Sequence, residues 1–104
     1  MFDIITFGSA TWDVFLRPKK FEIINNKKFI TGKGIGFNLG SKIDVEEIEF
    51  NFGGGGTNTA ATFSKQGFKT AYCATVGDDM AGKEIIRELE RLGIDARFVF
   101  RKKE

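Results

Sequence analysis

The stretch Gly53-Gly54-Gly55-Gly56-Thr57-Asn58-Thr59-Ala60 decides the fold of this chain. Four consecutive glycines rarely lie inside a packed element, because glycine loses the most backbone freedom on ordering. The alternating segment Glu47 to Phe52 precedes them and predicts a strand, whereas Thr57 to Gln66 predicts a helix that Gly67 ends. Such a turn leaves backbone N–H groups at a helix start, where a polar or anionic ligand can approach. For the glycines alone, a flexible loop is the alternative interpretation.

The segments on either side of this turn predict alternating strands and helices. Phe2 to Gly8 is short and apolar, which is typical of a buried strand in a parallel sheet. Asp79 can cap a helix, and Gly93 can end it. The elements after the turn are a strand, a helix and a strand at Lys69–Val76, Met80–Arg91 and Arg97–Arg101. The predicted fold is therefore α/β, with the core order βαβαβ.

A long insertion separates the first strand from the glycine turn. Its strand-like pieces are Val14–Leu16, Lys28–Thr31 and Glu47–Phe52, and its turn-rich pieces are Asn25-Asn26 and Gly32–Gly36. Asp44 to Glu49 also fits a helical turn, but the alternation in its second half favours a strand. We therefore predict that the insertion is mainly β structure.

The bulk composition excludes several classes of protein. The 104 residues allow one domain at most, and a net charge of +2 gives no sign of a nucleic-acid or membrane partner. The chain contains no histidine, which excludes Ser-His-Asp and Cys-His catalysis and histidine zinc sites within it. Its single cysteine, Cys73, cannot form an internal disulfide, and no segment resembles a signal peptide. These features favour a cytoplasmic protein.

The spacing of the glycine-rich motif resembles a known family. The pattern Gly-Gly-x-Gly-x-Asn-x-Ala, followed after six residues by Gly67 and after nine more by Gly77, is similar to the N-terminal signature of ribokinase-like (phosphofructokinase B family) carbohydrate kinases. The resemblance continues through Val76–Gly82 and Leu92–Asp95, and it reaches back to Phe7-Gly8-Ser9 and Asp13. No motif of the family is found between Phe15 and Glu46.

This resemblance implies the N-terminal portion of a doubly wound sheet with a small β-strand lid inserted after the first strand. Residues 14–52 and roughly 96–104 would form lid strands, and the remainder would form the α/β core. Lids of this family cover the sugar and often pair with a second subunit, so a homo-oligomer is expected. The predicted lid contains the phenylalanines Phe21, Phe29, Phe37, Phe50 and Phe52. They pack either across a dimer, over a substrate, or in an ordinary core beneath the lid.

The resemblance also implies a set of substrate-binding residues. Asp13 matches the aspartate that accepts hydrogen bonds from adjacent sugar hydroxyls, although Thr11 stands where the family often has asparagine. Gly54, Gly55 and Asn58 match the second sugar contact, through backbone N–H groups and a side-chain amide. The adjacent carboxylates Asp78 and Asp79 suggest Mg²⁺ ligands, but neighbours in a turn point apart, and capping explains Asp79. We predict no metal ligand.

The catalytic half of such a kinase is missing from these residues. The family's base and most of its nucleotide site lie in a C-terminal Gly-Ala-Gly-Asp motif, which does not occur between Met1 and Glu104. The chain is therefore predicted to be an N-terminal fragment of an ATP-dependent sugar or nucleoside kinase, inactive alone, with no catalytic residue of its own. ATP and Mg²⁺ would be used by the full-length parent and would not bind tightly here. The alternative is a non-catalytic sugar-binding or dimerisation module.

Overall fold

The computed structural model describes residues 1–103 as seven strands and two helices. In chain order these are β1 (Ile4–Phe7), β2 (Thr11–Pro18), β3 (Glu22–Asn25), β4 (Lys33–Gly36), β5 (Val45–Gly53), α1 (Gly55–Lys65), β6 (Thr70–Gly77), α2 (Met80–Arg91) and β7 (Asp95–Lys102). The chain divides into two compact units. The core unit comprises Met1–Asp13 and the chain from Phe50 onward, and the insertion unit comprises Val14–Glu49.

The core unit is built on a parallel sheet in the order β1-β6-β7. β1 pairs with β6 from Ile4↔Thr70 to Phe7↔Cys73, and β6 pairs with β7 as far as Gly77↔Lys102. Helix α1 packs against β1 and β6. Helix α2 connects β6 to β7 and packs against both strands. The predicted α/β class and the order βαβαβ are confirmed.

The prediction that residues 96–104 form lid strands is wrong for the described part of β7. Residues 95–102 pair in parallel with β6 in the core sheet, and Ala96 and Val99 pack against the core cluster. A right-handed crossover through α2 places β7 beside β6, so apolar residues of β7 pack in the core. Glu104 lies outside the described residues.

Residues 50–52, which were also predicted as lid, belong to the core unit. The Phe50 ring stacks on Trp12 with a centroid separation of 6.4 Å, and Phe52 packs against the core cluster. The alternation that predicts a strand here is confirmed, because β5 runs from Val45 to Gly53. The apolar side chains at its end are held by partners in the core unit.

Helix α2 begins and ends at the predicted residues. The N–H of Gly82 donates to Asp79 Oδ1 at 2.8 Å, which confirms Asp79 as the cap. A β-carbon on Gly82 would lie 1.8 Å from the carbonyl oxygen of Gly77, so only glycine lets this first turn rest on the end of β6. Gly93, with a φ of 75°, ends the helix.

Both helices pack on one face of the sheet. Each crossover moves the chain by one strand in the same direction, and two right-handed crossovers of that kind put their helices on the same side. The buried core between these helices and the sheet consists of Ala60, Tyr72, Val76, Ile85, Leu89 and Ile94. The opposite face carries Ile5, Phe7 and Phe100, which are 42%, 74% and 62% exposed. One apolar face of a parallel sheet is thus uncovered.

The insertion unit contains the hairpin of β3 and β4, which pair antiparallel from Glu22↔Gly36 to Asn25↔Lys33. The prediction of a strand at Lys28–Thr31 is wrong, because these residues form the turn, and the predicted turn at Gly32–Gly36 holds only for Gly32, since Lys33–Gly36 forms β4. The side chain of Asn26 accepts the N–H of Lys28 at 2.9 Å, and Gly32 has a φ of 75°. Within this unit, which the structure describes completely, no residue is buried.

Small residues explain why a glycine-rich segment forms β4. A β-carbon on Gly34 would lie 2.6 Å from the Phe29 ring, and one on Gly36 would lie 2.6 Å from Ile24 Cδ1. The neighbouring side chains therefore occupy the space that the glycines leave. Local sequence rules assign such glycines to turns, whereas here they admit the packing of larger neighbours.

Candidate functional site

The candidate site lies in the core unit, where the end of β1 meets the start of α1. Gly54 precedes the helix with a φ of 102°, a conformation that favours glycine. A β-carbon on Gly54 would lie 2.3 Å from the carbonyl oxygen of Ser9. The glycine turn therefore exists because the backbone after β1 passes directly against it.

Ser9 satisfies the first N–H groups of α1. The N–H of Gly55 donates to Ser9 Oγ at 3.1 Å, and the N–H of Gly56 donates to the Ser9 carbonyl oxygen at 3.1 Å. No side chain within the turn caps the helix, because Gly54 occupies the cap position. The sequence predicts bare N–H groups here, whereas the structure pairs two of them with a residue that follows the first strand.

Two side chains of the core sheet also donate hydrogen bonds to this junction. Thr6 Oγ1 donates to the carbonyl oxygen of Gly56 at 3.0 Å, and the Tyr72 hydroxyl donates to the carbonyl oxygen of Gly8. The Tyr72 side chain is fully buried, and this burial, with a smaller effect from Cys73, raises its pKa. The hydroxyl therefore keeps its proton and remains a donor.

The predicted substrate residue Asp13 lies over Gly53, the last residue of β5. A β-carbon on Gly53 would lie 2.7 Å from Asp13 Oδ2 and 2.9 Å from Thr11 Oγ1. Both side chains project from the same face of β2, since they are two positions apart in a strand. Glycine at position 53 thus makes room for a carboxylate and a hydroxyl beside the glycine turn.

The other predicted residues are in the first turn of α1. Gly55 is exposed, and nothing lies within 4 Å of where its β-carbon would be. Asn58 is exposed, and its backbone N–H donates to the carbonyl oxygen of Gly54 at 2.9 Å, which leaves the side-chain amide at the surface. The structure therefore brings Asp13, Gly54, Gly55 and Asn58 to the junction of β5 and α1.

Sequence reasoning missed Ser9, Thr6 and Tyr72. Ser9 follows the strand-ending Gly8 and lies in the Phe7-Gly8-Ser9 segment of the family resemblance, but neither signal predicted that it would pair with the glycine turn. Tyr72 lies in an apolar run and carries no local signal. Its partner, Gly8, becomes a neighbour only when β1 pairs with β6.

The adjacent carboxylates after β6 have structural partners. Asp79 caps α2, and Asp78 Oδ1 lies 3.8 Å from Arg101 Nη1. Among residues 1–103, no three His, Cys, Asp or Glu side chains gather as metal ligands. Neither of the two helices in this part of the chain is long and apolar enough to cross a membrane.

Comparison with known families identifies the family to which this chain belongs. The sequence profile of the pfkB family of carbohydrate kinases matches residues 3–104. The chain belongs to the pfkB family. The match includes the glycine turn, Asp13 and the segment from Gly77 to Gly82, so it confirms the family predicted from these motifs.

Solved structures share the fold of this pfkB chain at low sequence identity. Ribokinase from Arabidopsis thaliana, complexed with ribose and ATP, has a TM-score of 0.71 at 22% identity, with 96% of this chain and 28% of that chain covered. Ribokinase from Cryptococcus neoformans var. grubii serotype A, in complex with ADP, has a TM-score of 0.68 at 20% identity, with 96% and 26% covered. The PfkB protein from Polaromonas sp. JS666 has a TM-score of 0.66 at 22% identity, with 98% and 28% covered.

These likenesses confirm the fold of the pfkB chain. The chain spans 26% to 28% of the length of the three structures. No curated protein sequence matches it.

Proposed function

We propose that this chain is the N-terminal, sugar-binding portion of an ATP-dependent kinase that transfers the γ-phosphoryl group to a hydroxyl of a sugar or nucleoside. The position of the Asp13 carboxylate over Gly53, next to the glycine turn at the start of α1, is the observation that carries the proposal. Membership of the pfkB family of carbohydrate kinases supports the substrate class.

The geometry of this junction suits a polyol. The Asp13 carboxylate can accept hydrogen bonds from two adjacent hydroxyls, and such charge-assisted bonds are stronger than neutral ones. The exposed Asn58 amide can donate and accept on the side of α1, where the positive end of the helix favours ligand oxygens. Gly54 and Gly55 present backbone without side chains, so a sugar ring can approach closely.

The phosphoryl-transfer machinery is assigned to residues outside this chain. We propose no catalytic residue here, because the Gly-Ala-Gly-Asp sequence of the resembling family does not occur between Met1 and Glu104. ATP and Mg²⁺ would be used by the full-length protein, and among the described residues no three His, Cys, Asp or Glu side chains gather. We also propose a cytoplasmic location, where ATP is available as the donor.

Two observations support a longer parent protein. The chain covers about a quarter of each ribokinase structure that it resembles. In addition, Ile5, Phe7 and Phe100 are exposed on one face of a parallel sheet, and sheets of this kind are normally covered on both faces. The remaining polypeptide of the parent would cover that face.

The insertion unit is proposed to serve as the lid and as a contact in a homo-oligomer. Within this unit the apolar side chains of Ile23 and Ile35, which pair across the hairpin, are 51% and 57% exposed. The rings of Phe21 and Phe37 are also exposed. An exposed apolar surface of this kind is typical of a site that another surface covers.

A kinase assay on the parent protein tests the proposal. We expect ATP consumption that depends on one sugar or nucleoside from a panel containing D-ribose, D-fructose and adenosine, whereas the 104-residue chain alone should show none. Activity of the purified 104-residue chain would contradict the assignment of the machinery to other residues. If the parent binds a sugar but never transfers phosphate, the alternative of a non-catalytic sugar-binding module is favoured.

A further inference from the structure

The glycine turn is held in place by a fully buried tyrosine on the central strand. The Tyr72 hydroxyl donates to the carbonyl oxygen of Gly8, and the edge of its ring contacts Gly56, where a β-carbon would lie 2.6 Å from Tyr72 Cε2. One side chain of β6 thus contacts both the segment that follows β1 and the first turn of α1.

Ser9 continues this chain of contacts to the surface. It directly follows Gly8, and its hydroxyl and carbonyl oxygens accept the N–H groups of Gly55 and Gly56. The order of contacts is therefore Tyr72 to Gly8, then Ser9 to Gly55 and Gly56. Each link joins residues that are distant in the sequence.

We propose that Tyr72 and Ser9 are positioning residues for the sugar site, acting through the backbone of Gly8 and the amides of Gly55 and Gly56. The proposal rests on the proposed function, because it assigns a role to residues that support the same junction. Neither residue is required to touch the sugar.

The conformational freedom of the glycines explains why these contacts would affect the affinity for the sugar. Four consecutive glycines sample many backbone conformations, so a ligand that needs one of them must otherwise supply the cost of ordering the turn. The contacts from Tyr72 and Ser9 order the turn before the ligand arrives. Loss of either contact should therefore weaken binding without removing any group that contacts the ligand.

The experiment uses the parent protein with single variants of Tyr72, Ser9, Ser64 and Asp13. Tyr72→Phe keeps the ring and removes only the hydroxyl, and Ser9→Ala removes the hydroxyl that accepts from Gly55. Ser9→Thr restores a hydroxyl. The matched control is Ser64→Ala, because Ser64 Oγ donates to the carbonyl oxygen of Leu92 at 2.7 Å and so makes a comparable bond at the other end of α1.

Binding of D-ribose, D-fructose and ATP is measured by titration calorimetry. Tyr72→Phe and Ser9→Ala should each raise the Kd of the sugar that binds by about five- to tenfold, the effect of one neutral hydrogen bond. The ATP Kd should not change, and Ser9→Thr should bind like the wild type. The double variant Tyr72→Phe/Ser9→Ala should be little worse than the weaker-binding single variant, because both act through one chain of contacts.

A second readout does not depend on a ligand. Deuterium exchange of the peptide that covers residues 53–60 should accelerate in Tyr72→Phe and Ser9→Ala, and it should stay unchanged in Ser64→Ala. Unchanged exchange, or an equal loss of sugar affinity in Ser64→Ala, would overturn the positioning role.

Asp13→Ala separates this inference from the proposed function. If Asp13→Ala weakens sugar binding strongly while Tyr72→Phe and Ser9→Ala bind normally, the inference fails and the proposed function stands. If the wild-type protein binds neither sugar, the proposed assignment to these sugars fails, and the inference fails with it.

Discussion

The backbones of Gly8 and Gly56 cross in direct contact. A β-carbon on Gly8 would lie 2.9 Å from the nitrogen of Gly56, and one on Gly56 would lie 2.8 Å from the α-carbon of Gly8. This contact is what allows the segment after β1 to reach the first turn of α1. The site therefore depends on the absence of a side chain at both Gly8 and Gly56. Gly55 differs from them, because a side chain there would meet no neighbouring atom.

Substitutions of Gly56 and Gly55 by alanine should change the stability of the protein to different extents. Gly56→Ala should lower the free energy of unfolding by about 1–3 kcal/mol, because its β-carbon would overlap Gly8 and the Tyr72 ring. Gly55→Ala should change stability by less than about 1 kcal/mol, since nothing lies within 4 Å of its β-carbon. Chemical denaturation of both variants measures the difference. Equal effects of the two substitutions would contradict the close contact.

Asp13→Ala should weaken sugar binding in the parent protein far more than ATP binding. The loss of a charge-assisted pair of hydrogen bonds costs about 2–3 kcal/mol, which corresponds to a rise of about 30-fold or more in the sugar KM. Steady-state kinetics with each substrate varied in turn measure both constants. Glu90 is an exposed residue of α2, and Glu90→Ala serves as the control. An unchanged sugar KM in Asp13→Ala would show that the Asp13 carboxylate is only solvated. Asn58→Ala should act in the same direction but less strongly, because its amide is neutral.

Thr11→Asn should change which sugar the parent protein prefers. Thr11 Oγ1 and Asp13 Oδ2 both lie over Gly53, and an amide in place of the hydroxyl reaches farther, adds a second donor and places the acceptor and the donors on separate atoms. The ratio of kcat/KM between two sugars of the panel should shift by about tenfold or more, as expected for a changed polar contact. A uniform fall in kcat/KM for all sugars would instead indicate a structural role for Thr11.

Acid should remove part of the stability of α2. The hydrogen bonds from Arg91, at 2.8 Å from its Nε, lower the pKa of Glu88. Because the folded-state pKa is lowered, this stabilisation is fully present above the ordinary carboxyl pKa and is lost as the pH falls below it, through the lowered folded-state pKa. The Tm of Glu88→Gln should thus lie below that of the wild type at neutral pH and converge with it in acid. Glu90→Gln is the control, because this carboxylate makes no ion pair among the described residues.

The 104-residue chain expressed alone should associate. Its core sheet presents the uncovered residues Ile5, Phe7 and Phe100, and its insertion unit exposes further phenylalanines. Apolar faces and open sheet edges favour pairing with another copy. We expect a dimer, a larger species or poor solubility in sedimentation velocity at tens of micromolar. A stable, compact monomer would contradict this and would favour an independent binding module.

The elements that the sequence predicts well are those with local signals. Asp79 and Gly93 mark α2, because capping and left-handed backbone depend on neighbouring residues only. The segment Gly32–Gly36 shows the opposite case. Its glycines predict a turn, and Gly32 does lie in one, but Lys33–Gly36 forms β4. There the side chains of Phe29 and Ile24 occupy the space beside Gly34 and Gly36.

The sequence by itself determined the family and the βαβαβ order, because motif spacing and periodicity are written along the chain, and its assignment of substrate-binding residues stays a prediction. Tertiary structure alone decided how that site is held. Ser9 and Gly55 are 46 positions apart and Tyr72 and Gly8 are 64 positions apart, so no local pattern couples them. They meet because β1 pairs with β6 and the glycine backbones can cross without side chains between them. Parallel pairing of distant strands is non-local, and contacts that depend on it cannot be read from neighbours in the sequence.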